Sequence, residues 1–95
     1  AVLTNYTLEA NYPNPFNPMT TIQYTLPEKV KISVDVYNAL GQKIRTLVDK
    51  VQDAGSYSVM WNGTDSGGRQ AASGVYYYQL KTDELQLTRK MMLIK

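Results

Sequence analysis

The side chains able to do chemistry gather at a few positions. Asn62, Asp65 and Ser66 put oxygen ligands around a glycine-rich turn, a composition that calcium tolerates. The alternating acids of an EF-hand loop are missing, and no third carboxylate is near. The same residues read more simply as a hairpin loop held by side-chain-to-backbone hydrogen bonds. Asp53 and Asp65 form a nominal acid/base pair to which the sequence gives no geometry. Trp61 with Tyr57, or the run Tyr76-Tyr77-Tyr78, offers rings on which a sugar or a base could stack. Trp61 shares its parity with Tyr57 and Val59, which favours a core position over a platform.

The absences narrow the chemistry further. The 95 residues contain no His and no Cys. That removes the usual general base, the commonest metal ligand, thiolate zinc and iron–sulfur sites, disulfides and every triad built on imidazole. An enzyme would have to run on carboxylates, Lys or Tyr alone, so the expectation is a protein without catalytic residues, metal or cofactor. Ten Lys and Arg against eight Asp and Glu give a net charge of +2, too little for a nucleic-acid-binding face. That excess falls within residues 81–95, where Lys81, Arg89, Lys90 and Lys95 face only Asp83 and Glu84. The longest apolar runs, Val75–Tyr78 and Met91–Ile94, are four residues each, so no membrane insertion is expected. The chain opens at Ala1 with neither an initiator Met nor a signal peptide, as a segment of something longer would.

The elements that must carry these residues are strands. Thr21–Leu26 alternates without error, with Ile22, Tyr24 and Leu26 on one side, and Val30–Val36 does the same with Val30, Ile32, Val34 and Val36. Asn38-Ala39-Leu40-Gly41 predicts a hairpin turn closed by a left-handed Gly41. Lys43–Val48 returns as a strand with Ile44 and Val48 inward, although Leu47 breaks the pattern. Ser56–Trp61 follows, then a loop over Asn62–Gly68. Val75–Leu80 is apolar on both sides, which predicts a central strand covered on both faces. About seven short strands without a helical period give an all-β, antiparallel β-sandwich.

Both ends depart from simple alternation. Pro13, Pro15 and Pro18 are three of the four prolines, so residues 1–19 read as a linker and stiff, extended strap ahead of a sandwich over 20–95. Tyr12 and Phe16 are expected to pack that strap onto the body. A proline-rich ligand for an aromatic groove is the weaker reading, because the spacing repeats no PxxP. At the other end Leu85, Leu87, Met91 and Leu93 make one apolar face interrupted by Arg89. The even positions turn apolar at Met92 and Ile94. Either this strand end is covered on both sides, or it carries an exposed apolar patch flanked by cations.

Four blocks in order resemble the type A C-terminal sorting domains of the type IX secretion system, over about residues 8–95. They are Tyr12-Pro13-Asn14-Pro15-Phe16-Asn17-Pro18 with Thr20-Thr21-Ile22; Val36-Tyr37-Asn38 through Leu40-Gly41-Gln42; Ser73-Gly74-Val75-Tyr76 with Leu80; and Arg89-Lys90-Met91 through Leu93-Ile94-Lys95. The pattern grades into the Ig-like domain of flagellar hook-capping proteins. Arg89 in place of Lys and Met91-Met92 in place of shorter aliphatics depart mildly from it. The resemblance implies an Ig-like sandwich in which Pro13, Pro15, Phe16, Pro18, Gly41, Trp61, Gly74 and Tyr76 serve the fold. It also implies a non-catalytic signal on a larger exported protein, covalently linked to an upstream cargo. The signal would be read in the periplasm of a Gram-negative-type bacterium by the type IX machinery through Arg89, Lys90, Met91, Met92, Leu93, Ile94 and Lys95. In many members a sortase-like surface protease then removes the domain, and the product is secreted or held at the cell surface. The alternatives are an Ig-like accessory module that binds polysaccharide, through Trp61 and the tyrosines, and a structural spacer.

Overall fold

Alternation becomes strand wherever one side can be buried. In the computed structural model, which describes residues 5–94, the strands are β1 (Thr7–Leu8), β2 (Thr20–Leu26), β3 (Val30–Asn38), β4 (Lys43–Gln52), β5 (Gly55–Trp61), β6 (Gly74–Lys81) and β7 (Gln86–Leu93). They form two antiparallel sheets, a smaller one ordered β1-β2-β5 and a larger one ordered β4-β3-β6-β7. The expected β-sandwich is the fold. Ile22, Tyr24, Leu26 and Trp61 from the smaller sheet meet Ile32, Val34, Val36, Tyr78, Leu80, Met91 and Leu93 from the larger, all buried. Each such side chain contributes roughly 1.5–3 kcal/mol of burial, so this one interface supplies most of the drive to fold.

The hairpin turn after β3 forms as its residues require. Gly41 has φ +83°, its N–H donates to Asn38 O at 3.0 Å, and Asn38 Oδ1 accepts the N–H groups of Leu40 and Gln42. Leu47 breaks the alternation for a local reason. Val34 pairs with Val48 but Asp35 pairs with Thr46, so Leu47 is the extra residue of a β-bulge. Asp35 is buried on the outer side of β3, where its carboxylate accepts from Thr46 Oγ1 at 2.7 Å and from Ser33 Oγ at 3.1 Å. Strand β6 lies between β3 and β7, as its composition predicts, but it is covered on one face only. Tyr76, Tyr78 and Leu80 are buried, whereas Tyr77 stands on the open outer face. A two-layer sandwich has no third layer to cover that side.

Residues 9–18 cross from the smaller sheet to the larger. Tyr12 exchanges backbone hydrogen bonds with Thr21, and Phe16 bridges β7. Phe16 is buried as expected, but Tyr12 is 80% exposed. Directly opposed residues of an antiparallel pair point to the same side, and Thr21 points outward, so Tyr12 does too. Asn11 fastens the crossing. Its Nδ2 donates to Thr20 Oγ1 and Pro13 O, and its N–H donates to Tyr78 Oη, which donates in turn to Glu9 O.

Candidate functional site

The C-terminal strand is where the sequence concentrates its unexplained residues, and its backbone sets which of them face outward. Phe16 N–H donates to Met92 O and Ile94 N–H donates to Phe16 O, both at 3.0 Å. Met92 N–H donates to Asn14 Oδ1 at 3.1 Å. Met92 and Ile94 therefore turn their backbone groups to the strap, and the odd-numbered residues of β7 bond to β6.

Side chains divide the same way. Met91 and Leu93 are buried in the core, whereas Met92 and Ile94 are 42% and 47% exposed and Lys90 is exposed beside them. Arg89 sits at an inward parity on the margin of the sandwich, where its Nε donates to Leu8 O and ties β7 to β1. Of the seven residues expected to be recognised, Lys90, Met92 and Ile94 share one exposed side. Arg89 bridges the sheets, Met91 and Leu93 pack inside, and Lys95 lies outside the described residues. Between the two coverings that the sequence left open for this strand, the exposed patch is the one present. Among the described residues Lys90 has no acidic partner within ion-pair distance.

The strap completes this surface. Asn14 and Pro15 approach Val75, Lys90, Met91 and Met92 around a shallow cleft of roughly 250 Å³. Val75 and Tyr77 lie opposite Met92 and Lys90 in the β6–β7 register and extend the apolar side across β6. Asn14 and Pro15 carry no signal in strand periodicity, because their contact with β7 spans 78 residues of chain. The arrangement offers shape, apolar contact and one unpaired ammonium, with no nucleophile or acid/base pair beside it.

The other candidates have structural uses. Trp61 is 1% exposed, packed 5.6 Å from the Phe16 ring and 5.4 Å from the Tyr76 ring, with Nε1 donating to Thr64 O at 2.8 Å. It is core, and no stacking platform can use it. Tyr76 donates to Ala72 O and Tyr78 to Glu9 O, each at 2.6 Å, and burial pushes both phenols above their usual range. Tyr24 donates to Gln52 Oε1 at 2.6 Å, and burial likewise pushes its phenol up.

In the glycine-rich loop, Asp65 Oδ1 accepts the N–H groups of Gly67 and Arg69, and Arg69 Nε lies 3.3 Å from Oδ2. The Arg69 backbone bond, first, and then that of Gly67 hold the carboxyl below its usual range. Asn62 Oδ1 is taken by Thr64, so the loop's oxygens serve the turn. Asp53 contributes its backbone carbonyl, which accepts from Tyr57 Oη. Pro13 O accepts from Thr20 Oγ1, and the carbonyl of Pro18 faces Gly63. Gly74 pairs with Leu93 at the far end of the β6–β7 ladder.

Comparison with known proteins agrees with this architecture. No curated protein matches the chain. Among solved structures, dimeric latent PorU from Porphyromonas gingivalis superposes with TM-score 0.72 at 17% identity, covering 97% of this chain and 10% of that one. PorZ, a surface component of the type-IX secretion system of the same bacterium, superposes with TM-score 0.63 at 22% identity over 90% of this chain and 11% of that one. FlgD from P. aeruginosa gives 0.61 at 20% identity, over 97% and 73%. The chain thus spans about a tenth of the length of PorU and PorZ. At these identities the likeness is one of fold. The model of the FlgD Ig-like domain matches residues 18–85, from the end of the strap to the turn before β7, and the protein belongs to that Ig-like family.

Proposed function

We propose that this domain is a non-catalytic sorting signal of a larger exported protein, read by the type IX secretion machinery on its way to the bacterial surface. The observation that carries the reading is the set Lys90, Met92 and Ile94, held on one exposed side of β7 by the strap. Met92 and Ile94 are not scattered singly, because Val75 and Tyr77 lie opposite Met92 and Lys90 and extend them into a contiguous apolar side. The geometry suits a label attached to cargo. Thr7 and Leu8 pair with Thr25 and Tyr24 at one end of β2, whereas Leu93 lies near Gly63 and Pro18 at the other end of a body 40 Å long. The first described strand therefore lies toward the pole opposite Met92 and Ile94. The fold likeness to PorZ, itself a component of that secretion system, supports the assignment. Partners of this kind would place the protein in the periplasm and then outside the cell.

The test is export of a reporter fused ahead of residues 1–95 in a type IX-competent host. The variant Lys90→Glu/Met92→Ser/Ile94→Ser alters only outward side chains, so it keeps the core while removing the surface. Export should fall at least about tenfold, the equivalent of one lost contact of ~1.4 kcal/mol. Export at the unsubstituted level, with the variant folded, would reject the reading. Truncating residues 90–95 would not discriminate, because it also removes Met91 and Leu93 from the core.

A further inference from the structure

The two seams of the sandwich are finished differently. Where β1 meets β7, the strap, Phe16 and the Arg89–Leu8 bond close the gap. On the other side, where β5 and β4 are the edge strands, the described residues tie the seam only toward its ends, by Tyr24 Oη on Gln52 and by Arg45 and the Ile44 carbonyl on the Thr64–Ser66 loop.

The register identifies the free groups of β5. Glu9 N–H donates to Gln23 O, and Tyr12 and Thr21 exchange bonds, so the odd residues of β2 face β1 and the strap. Its even residues bond to β5, pairing Thr20, Ile22, Tyr24 and Leu26 with Trp61, Val59, Tyr57 and Gly55. The backbone N–H and C=O groups of Ser56, Ser58 and Met60 consequently point away from the sheet. None of them has a partner among the described residues.

Other edges carry guards. Strand β4 holds Lys43, Arg45, Asp49 and Lys50, is bulged, and has its Ile44 carbonyl capped by Ser66. Strand β7 has Arg89, Lys90 and the strap. Strand β5 has no charge, no proline and no bulge over its seven residues, which is the profile of an edge open to strand addition.

A groove of roughly 360 Å³ runs beside this edge, lined by Tyr57, Val59, Leu47 and Val48, with Asp49 and Lys50 among its other residues. We propose that the β5 edge and this groove take up one extended peptide strand of a partner protein, with apolar residues at alternate positions. The strand's backbone would bond to Ser56, Ser58 and Met60, and its apolar side chains would turn into the seam. A second copy of this chain fits less well. Its own β5 has Tyr57 stacked on Tyr24 and Val59 packed on its own core, leaving neither to fill the groove. Pairing along three outward residues also falls well short of the roughly 1,200 Å² that a stable dimer buries.

The probe is a nine-residue synthetic peptide alternating Val and Thr between terminal Lys residues, titrated into the isotopically labelled 95-residue chain. Amide signals of Ser56, Ser58 and Met60 should shift, and their hydrogen exchange should slow by about tenfold or more. Ser58→Pro removes an outward N–H that the β2 ladder does not use, and Leu47→Lys obstructs the groove without touching β5; each should weaken binding at least about tenfold. Binding that survives both variants, or shifts centred on β7, would overturn the proposal. So would self-association of the peptide-free chain in sedimentation that Ser58→Pro abolishes, since a second copy would then occupy the edge. Should Ser58→Pro fail to fold, exchange of the unmodified protein decides. Ser56, Ser58 and Met60 amides as slow as those of Tyr57 and Val59 without peptide would mean the edge is not free.

Discussion

Phe16 and Leu93 stand side by side in a parallel bridge, with Phe16 bonded to the residues on either side of Leu93. The strap thus behaves as a short fifth strand on the larger sheet, confined to the last residues of β7. The Phe16 ring goes inward beside Trp61, which anchors the bridge in the core.

Phe16→Ala should therefore do two things. Loss of a buried phenyl costs about 3–5 kcal/mol, read as a lower urea midpoint. The Ile94 amide, which donates to Phe16 O, should also lose hydrogen-exchange protection beyond the global loss of stability.

Tyr78 joins the strap to β6 by accepting from Asn11 N–H and donating to Glu9 O. Tyr78→Phe leaves both groups without that partner and should cost about 1–3 kcal/mol in urea unfolding. A loss within experimental error would mean that these bonds contribute nothing net.

Alongside Tyr24, the same phenol and that of Tyr76 set the alkaline limit. Burial raises both above the ordinary value of 10.0, so the folded state prefers the neutral form more than the unfolded state does. Their contribution is complete below the unfolded value and disappears as pH climbs through the higher folded values. Urea midpoints should hold steady up to about pH 9 and fall above 10, and the fall should be shallower in Tyr76→Phe/Tyr78→Phe.

Gly63 and Gly41 both have left-handed φ, +78° and +83°, but only at Gly63 would a Cβ meet a neighbour, Pro18 O at 3.1 Å. Gly41→Ala should cost about 1–2 kcal/mol for the backbone alone, and Gly63→Ala measurably more. Equal losses in thermal unfolding would show that the strap yields freely at Pro18.

Period-two alternation made β2 and β3 readable, because each buries one side along its whole length. Asn38 and Gly41 announced their turn through residue types that few other conformations favour, and Trp61 announced its burial through parity. Leu47 marked a break in the alternation, but a break alone does not distinguish a β-bulge from an apolar residue left on the open face. Arg89 has an inward parity and an exposed head, a choice settled only by the carbonyl of Leu8 beside it. The contact of Asn14 and Phe16 with β7 was beyond any local pattern, because it depends on how two distant segments meet. Within the candidate surface, alternation separates Met92 and Ile94 from Met91 and Leu93, but it cannot say which set is inside.

Residues two apart point the same way only in an extended strand, so Lys90, Met92 and Ile94 form one surface only while β7 is straight and paired. That pairing in turn engages Phe16 and Asn14, the latter 78 residues before Met92. A receptor that requires these three side chains together would receive, in the same contact, notice that the domain has finished folding. A misfolded copy would carry the identical residues and remain illegible.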